Sequence, residues 1–166
     1  MHQRLERLRN ACVGTDAVLL TGRVNIAYIS GFTGTEGFLL VTPDDAYLCV
    51  DSRYTTQARQ ETALTVREIT RRWEDLYALV KELGIRSLGL ESNAMDYDTY
   101  EQVRRVCEGI ELMPVGPKIK DLRLIKDALE IEHLRHAASV AEDAVRAVLE
   151  KGIIGRREMD VALDIE

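Results

Sequence analysis

At 166 residues the chain is long enough to bury one sizeable core. With 46% hydrophobic and 30% charged residues it has the make-up of an ordinary globular protein, and no apolar run approaches the about 20 residues that a membrane helix needs. A formal net charge of -6 argues against a general nucleic-acid binder, because phosphate contacts need a concentrated basic face and Arg71-Arg72 and Arg104-Arg105 are only local pairs. The opening Met1-His2-Gln3-Arg4-Leu5-Glu6 lacks the charged-then-apolar layout of a signal peptide, so a cytoplasmic protein is expected. Cys12, Cys49 and Cys107 are odd in number and far apart, which supports neither a disulfide framework nor a zinc knuckle. Cys49, inside Tyr47-Leu48-Cys49-Val50, reads as a buried small hydrophobe.

In chain order, Leu5, Leu8 and Cys12 recur at the spacing of one helix face. Asp16–Leu20 follows as a short buried strand. Gly37–Val41 and Ala46–Val50 are two more strands, joined by the turn Thr42-Pro43-Asp44-Asp45, and should pair as an antiparallel hairpin. Asp51 and Ser52 are placed to cap a helix through Arg53–Ala58. Leu64–Ile69 reads as a strand. Leu76, Leu79, Val80 and Leu83 mark a helix that ends at Gly84. Ser87–Leu90 is a strand, Asp98 with Glu101 resembles a capping box, and Ile110–Met113 is the last strand, closed by Pro114. A hairpin followed by strand–helix alternation predicts an α/β fold, a mixed sheet with helices on its faces.

Pro114-Val115-Gly116-Pro117 is the expected domain boundary, giving 1–116 as one domain and 117–166 as a linker with a helical tail. Asp127 and Glu130 form a second capping-box pattern. From there Ile131, Leu134, Ala138, Ala141, Val145 and Val148 repeat at three and four residues, a long amphipathic helix stopped near Lys151-Gly152. A last helix from Arg156 runs to Glu166 without a terminating glycine. Short and with an apolar side to bury, it is expected to be marginal on its own.

No complete constellation for chemistry emerges. Gly31, Gly34 and Gly37 lead into a strand, whereas a phosphate-cradling loop must open a helix. His133 and His136 share a helix face at i and i+3, but no third ligand is near in sequence. Asp16, Asp45, Asp51, Glu91 and Asp96 are scattered near strand ends, and a two-metal nuclease would need such groups to converge.

Three ordered stretches resemble a known family. Asn25-Ile26-Ala27-Tyr28-Ile29-Ser30-Gly31-Phe32-Thr33-Gly34 is similar to the N-x-x-Y-x-S/T-G-F motif of the amino-terminal domain of Xaa-Pro dipeptidases, aminopeptidase P and creatinase. Val50-Asp51-Ser52-Arg53-Tyr54 with Gln57-Ala58 resembles that domain's D-x-R-Y-x-x-Q-A motif. Arg123, Lys126, Glu130 and Ile131 are similar to the R-x-x-K-x-x-x-E-I segment that joins the domain to a catalytic one. The resemblance implies a creatinase-type amino-terminal domain with a ribonuclease-H-like sheet. It also implies that residues 127–166 are the first helices of a "pita-bread" catalytic domain, stopping before its metal ligands. In the family that domain holds two divalent metals (Mn, Co or Zn) on two Asp, one His and two Glu, and hydrolyses Xaa-Pro bonds. None of those ligand motifs is present, so catalytic and metal-binding residues are expected to be absent here. The implied role is that of a non-catalytic domain serving homodimerisation and the shaping of a cleft for proline-containing peptides. Phe32, Thr33, Glu36, Asp51, Arg53 and Tyr54 are the candidate cleft or interface residues, with Phe32 offering an apolar surface to a proline ring and Arg53 a charge to a peptide carboxylate. The alternatives are a catalytically inactive module that binds peptides or proteins, and a nuclease.

Overall fold

The apolar runs of the sequence become the middle of a sheet. The computed structural model describes residues 2–165 and divides into two compact units, residues 1–124 and 125–166. The first unit contains, in order, α1 (His2–Ala11), β1 (Ala17–Leu20), α2 (Arg23–Ser30), β2 (Phe38–Val41), β3 (Ala46–Val50), α3 (Thr55–Glu61), β4 (Thr65–Glu68), α4 (Arg72–Glu82), β5 (Ser87–Leu90), α5 (Tyr97–Val106), β6 (Glu111–Pro114) and α6 (Gly116–Leu122). The second contains α7 (Ala128–Lys151) and α8 (Glu158–Ile165).

The six strands order as β4-β3-β2-β1-β5-β6. β1 pairs parallel with β5, β5 with β6 and β3 with β4, whereas β2 runs antiparallel to both β1 and β3. One strand therefore opposes five, and the antiparallel hairpin expected from the sequence is the pair β2–β3. Because side chains alternate along a strand, the central strands feed two cores. Val18, Leu20, Leu39 and Leu48 pack on one face with Leu8, Ile29 and Ile119 from α1, α2 and α6. Leu19, Phe38, Leu40 and Cys49 pack on the other with Leu76, Val80 and Val103 from α4 and α5. Both faces are covered, which is why the central strands read as unbroken apolar runs.

The expected hairpin forms, with Phe38 opposite Cys49 and Val41 opposite Ala46, and Thr42 N donating to Asp45 O at 2.9 Å to close the turn. Cys49 is buried, and burial pushes its thiol pKa up to about 12.

Two caps differ from expectation. α3 begins at Thr55 behind Tyr54, with no side-chain cap, because the Asp51 carboxylate turns to the charged guanidinium of Arg53 instead of to the helix. α5 is capped by Asp96, which accepts from Thr99 N at 2.7 Å, so Glu101 falls past the capping-box position and pairs with Arg104.

Two helices stand where the sequence pattern showed none. α2 contains β-branched Val24, Ile26 and Ile29, which lower helix propensity, and Gly22 at its N-cap supplies no side chain. α6 has Pro117 in its first turn, a position that suits proline although proline elsewhere punctuates a chain. The first unit runs on through α6 to Leu124.

In the second unit Asp127 and Glu130 make both bonds of a capping box, and α7 ends at Gly152 with φ 79°. Ile131, Leu134 and Val145 lie exposed on α7, and none of the described residues of α8 is buried. No helix among the described residues is long and apolar enough to cross a membrane.

Candidate functional site

The loop after α2 and the turn after β3 meet at one edge of the sheet. This is the edge where the parallel strands end, and in open α/β sheets ligands bind along it. Asp51 follows β3, Glu91 follows β5, and Gly37 opens β2 from the same side. Gly37 has φ 136°, and a Cβ there would stand 2.6 Å from the Cys49 carbonyl oxygen, so only glycine lets the loop enter the sheet this closely.

Five of the six candidate residues are tied directly into this junction. Phe32 is buried, and its ring meets the half-buried Tyr54 ring edge-on. Thr33 donates through N and Oγ1 to the Glu61 carboxylate at 2.7 and 2.9 Å, and Gln57 Nε2 donates to both Thr33 Oγ1 and Glu61. The Thr33 N–H, then the Gln57 amide, hold the Glu61 carboxyl below the usual range. Thr35 Oγ1 and Tyr54 Oη lie 2.6 Å apart. Asp51 accepts the Arg53 N–H at 2.9 Å, and Arg53 Nη2 and Nε reach its carboxylate at 2.7 and 3.2 Å. The Arg53 guanidinium holds the Asp51 carboxyl below its ordinary pKa. Arg53 remains 71% exposed, with its guanidinium 5.5 Å from the Tyr54 ring centroid. Glu36 stands further along the loop, exposed, and pairs with Arg72, whose Nη2 also donates to Gly37 O at 2.8 Å.

The junction therefore has a buried aromatic floor, a polar brace and a positioned surface cation. Phe32 forms the floor and does not present its ring to solvent. Arg53 is bound through one side of its planar fork, and Nη1 makes no hydrogen bond among the described residues. Gln57, Glu61, Thr35 and Arg72 were not singled out in sequence as site residues. Gln57 stands in the second motif, and its i, i+4 spacing from Glu61 was a further local signal.

The scattered carboxylates stay scattered. Asp16 and Asp45 precede β1 and β3 at the far edge, and Asp51 is separated from Glu91 by β2 and β1. The described residues hold no group of three or more His, Cys, Asp or Glu placed to bind a metal ion, and His133 and His136 are exposed on α7. Glu91 is nonetheless fully buried. It accepts from Thr21 N at 3.0 Å, Gly22 N at 2.8 Å and Asn25 Nδ2.

The family model described as creatinase/prolidase N-terminal domain matches residues 4–125. The chain belongs to this family. The uncharacterized peptidase YqhT of Bacillus subtilis is 37% identical over 169 residues, a match covering 98% of this chain and 47% of the relative. The solved Xaa-Pro dipeptidase from Bacillus anthracis superposes with a TM-score of 0.92 at 31% identity, covering 99% of this chain and 47% of that one. The solved N-terminal domain of cytoplasmic peptidase PepQ from Mycobacterium tuberculosis has a TM-score of 0.67 at 34% identity and covers 73% of this chain and 98% of that one. This creatinase/prolidase N-terminal domain, with its two following helices, thus spans about half the length of the curated relatives it matches. The likeness reaches nearly the whole chain in the longer Bacillus anthracis protein and stops short of it in the separately solved domain.

Proposed function

We propose that this chain is the non-catalytic amino-terminal part of an Xaa-Pro metallopeptidase, serving dimerisation and forming one wall of the substrate cleft. The observation that carries the reading is Arg53: an exposed guanidinium, fixed by Asp51 and set beside the braced loop Phe32–Glu36, with hydrogen-bonding capacity left over. Such a group suits the carboxylate of a short peptide. Relatives named Xaa-Pro dipeptidase support the substrate class, and a relative named a cytoplasmic peptidase supports the compartment. Two divalent metal ions would be held by another region of the longer protein. Among the described residues no three His, Cys, Asp or Glu side chains come together to hold a metal ion, and no step of the hydrolysis is placed on this chain.

The test is steady-state hydrolysis of an Xaa-Pro dipeptide by the full-length protein that carries this chain, compared with its Arg53→Ala variant. KM is expected to rise about tenfold with kcat within about twofold, as for loss of one charge-assisted contact made equally in ground and transition states. An unchanged KM removes Arg53 from the cleft. Robust cleavage by the 166-residue chain alone would sink the non-catalytic reading. Equilibrium sedimentation of the full-length protein as a monomer would remove the dimer.

A further inference from the structure

The Asn25-x-x-Tyr28 motif and Arg123 take no part in the junction just described, yet their side chains converge on one point. That point is the last turn of the first unit. Helix ends leave carbonyl groups without partners inside the helix. At the end of α6 the Leu122 carbonyl is met by two donors from distant parts of the chain, Arg7 Nη2 from α1 at 2.8 Å and Tyr28 Oη from α2 at 3.1 Å. Two donors fill both lone pairs of one carbonyl oxygen. Tyr28 is itself held, because the Arg4 guanidinium lies 4.3 Å from its ring centroid and Arg4 Nη1 donates to its carbonyl at 3.2 Å.

The next residue is gripped from the same helix. Arg123 Nη1 donates to Asn25 Oδ1 at 3.3 Å. Asn25 is buried, and its orientation follows from chemistry. Its Nδ2 faces the Glu91 carboxylate, which only accepts when ionised, so the amide oxygen must face the other way, toward Arg123. Glu91 is pinned in turn by the N–H groups of Thr21 and Gly22 at the entrance to α2, where a Cβ on Gly22 would stand 2.7 Å from Glu91 Oε1. The amide of Asn25 thus relays between a buried anion and an arginine at the chain's exit. Of the side chains close in shape, only an amide presents a donor to one and an acceptor to the other. Aspartate would set carboxylate against carboxylate, and leucine would offer nothing to either. Asn25 and Tyr28, at i and i+3, share one face of α2 and so reach the same turn.

We propose that Arg7, Asn25, Tyr28 and Arg123 form an exit clamp that holds residues 122–124 in one conformation where the chain leaves the first unit, with Glu91 as the buried anchor that orients Asn25. These are positioning residues, separate from the Arg53 junction and independent of whether a peptide binds there. The clamp gives Asn25 and Tyr28 a task that concerns the path of the chain.

Native-state hydrogen exchange on the 166-residue chain tests this. The amides of Arg123 and Leu124 donate within the clamped turn, to Lys120 O and Asp121 O at 3.1 Å each. In a Tyr28→Phe/Arg7→Met double variant, which keeps the ring and the aliphatic stem, exchange at these two amides should rise about tenfold. The amides of Leu19 and Leu40 in the central strands should exchange as in the parent chain. Unchanged protection at Arg123 and Leu124 overturns the clamp. So does a rise of equal size in the central strands, which would mean that the residues support the whole fold and not the exit. Arg123→Gln supplies a second variant, at an exposed residue, and it must give the same local rise; unchanged exchange at Leu124 there also overturns the proposal.

Discussion

The Phe32 ring meets the Tyr54 ring edge-on, with centroids 6.0 Å apart and planes at 89°. This contact ties the loop behind α2 to the turn behind β3, and the 2.6 Å bond between Tyr54 Oη and Thr35 ties them a second time. The two ties differ in kind. Phe32 is 1% exposed, so removing its ring loses apolar burial and leaves a cavity. Phe32→Ala should cost about 3–5 kcal/mol in urea unfolding. Tyr54→Phe keeps the ring pair and loses one half-exposed hydrogen bond, at about 1 kcal/mol. If Tyr54→Phe cost as much as Phe32→Ala, the hydroxyl and not the ring pair would be the main tie.

Gly34 closes this floor from above. A Cβ at residue 34 would lie 2.1 Å from Phe32 Cζ and 2.7 Å from both Cε atoms. The ring is buried in a close-packed core, where a displaced ring must push its neighbours. Gly34→Ala should destabilise by about 1–3 kcal/mol through overpacking, although alanine is otherwise the more restricted residue in the unfolded chain. The measurement is the urea midpoint together with the Phe32 ring proton shifts. A variant at least as stable as the parent, with unmoved shifts, would show that the loop can lift away freely.

Much of the fold was legible because it rests on local pattern. The antiparallel pair β2–β3 shows in its two apolar runs and the Thr42–Asp45 turn, and α7 shows in Asp127 with Glu130 and in its repeat. What was illegible depends on partners far along the chain. The entrance of α2 is stabilised by Glu91, which lies 69 residues beyond Gly22 and read as one more stray carboxylate. The end of α6 is met by Arg7, 115 residues before Leu122. At the site, the motif residues Phe32, Asp51, Arg53 and Tyr54 were visible as a pattern. Their division of labour was not, since burial of Phe32 and exposure of Arg53 are decided by the packing of Tyr54 and Gly34 around them.

Glu91 offers a direct measure of one such distant partner. Its carboxylate accepts two backbone N–H groups and one side-chain amide while fully buried. Glutamine has nearly the same shape but turns one acceptor oxygen into a donor. At least one of the three N–H partners is then left facing another N–H. Glu91→Gln should cost about 2–3 kcal/mol in urea unfolding, the range for losing a charge-assisted bond and stranding a buried donor. Exchange of the Gly22 amide should rise with it. A neutral substitution would mean that the entrance of α2 is held by packing alone.

The opposite edge of the sheet supplies a pH dependence. Asp16 Oδ2 accepts the N–H groups of Arg86 at 2.8 Å and Ser87 at 2.9 Å, joining the start of β1 to the start of β5. The Arg86 N–H and then the Ser87 N–H hold the Asp16 carboxyl below its ordinary pKa. Asp75 is held low in the same way by the N–H groups of Arg71 and Thr70 at the head of α4. A depressed folded-state pKa means that the unfolded chain binds the proton more readily, so stability falls as pH falls. The contribution of Asp16 is therefore complete above the unfolded value of about 3.9 and fades as pH drops through the lower folded value. Asp16→Asn places an amide where the carboxylate stood, keeps one acceptor oxygen and cannot titrate. The melting temperature of the parent chain should exceed that of Asp16→Asn at pH 6–7, and the gap should close as the pH is taken from about 5 to below 3. Asp75→Asn should behave alike, and the two effects should add because the residues sit on different elements with different partners. A gap that stays constant from pH 7 to pH 3 would place the cost of Asp16→Asn in lost geometry and not in the charge.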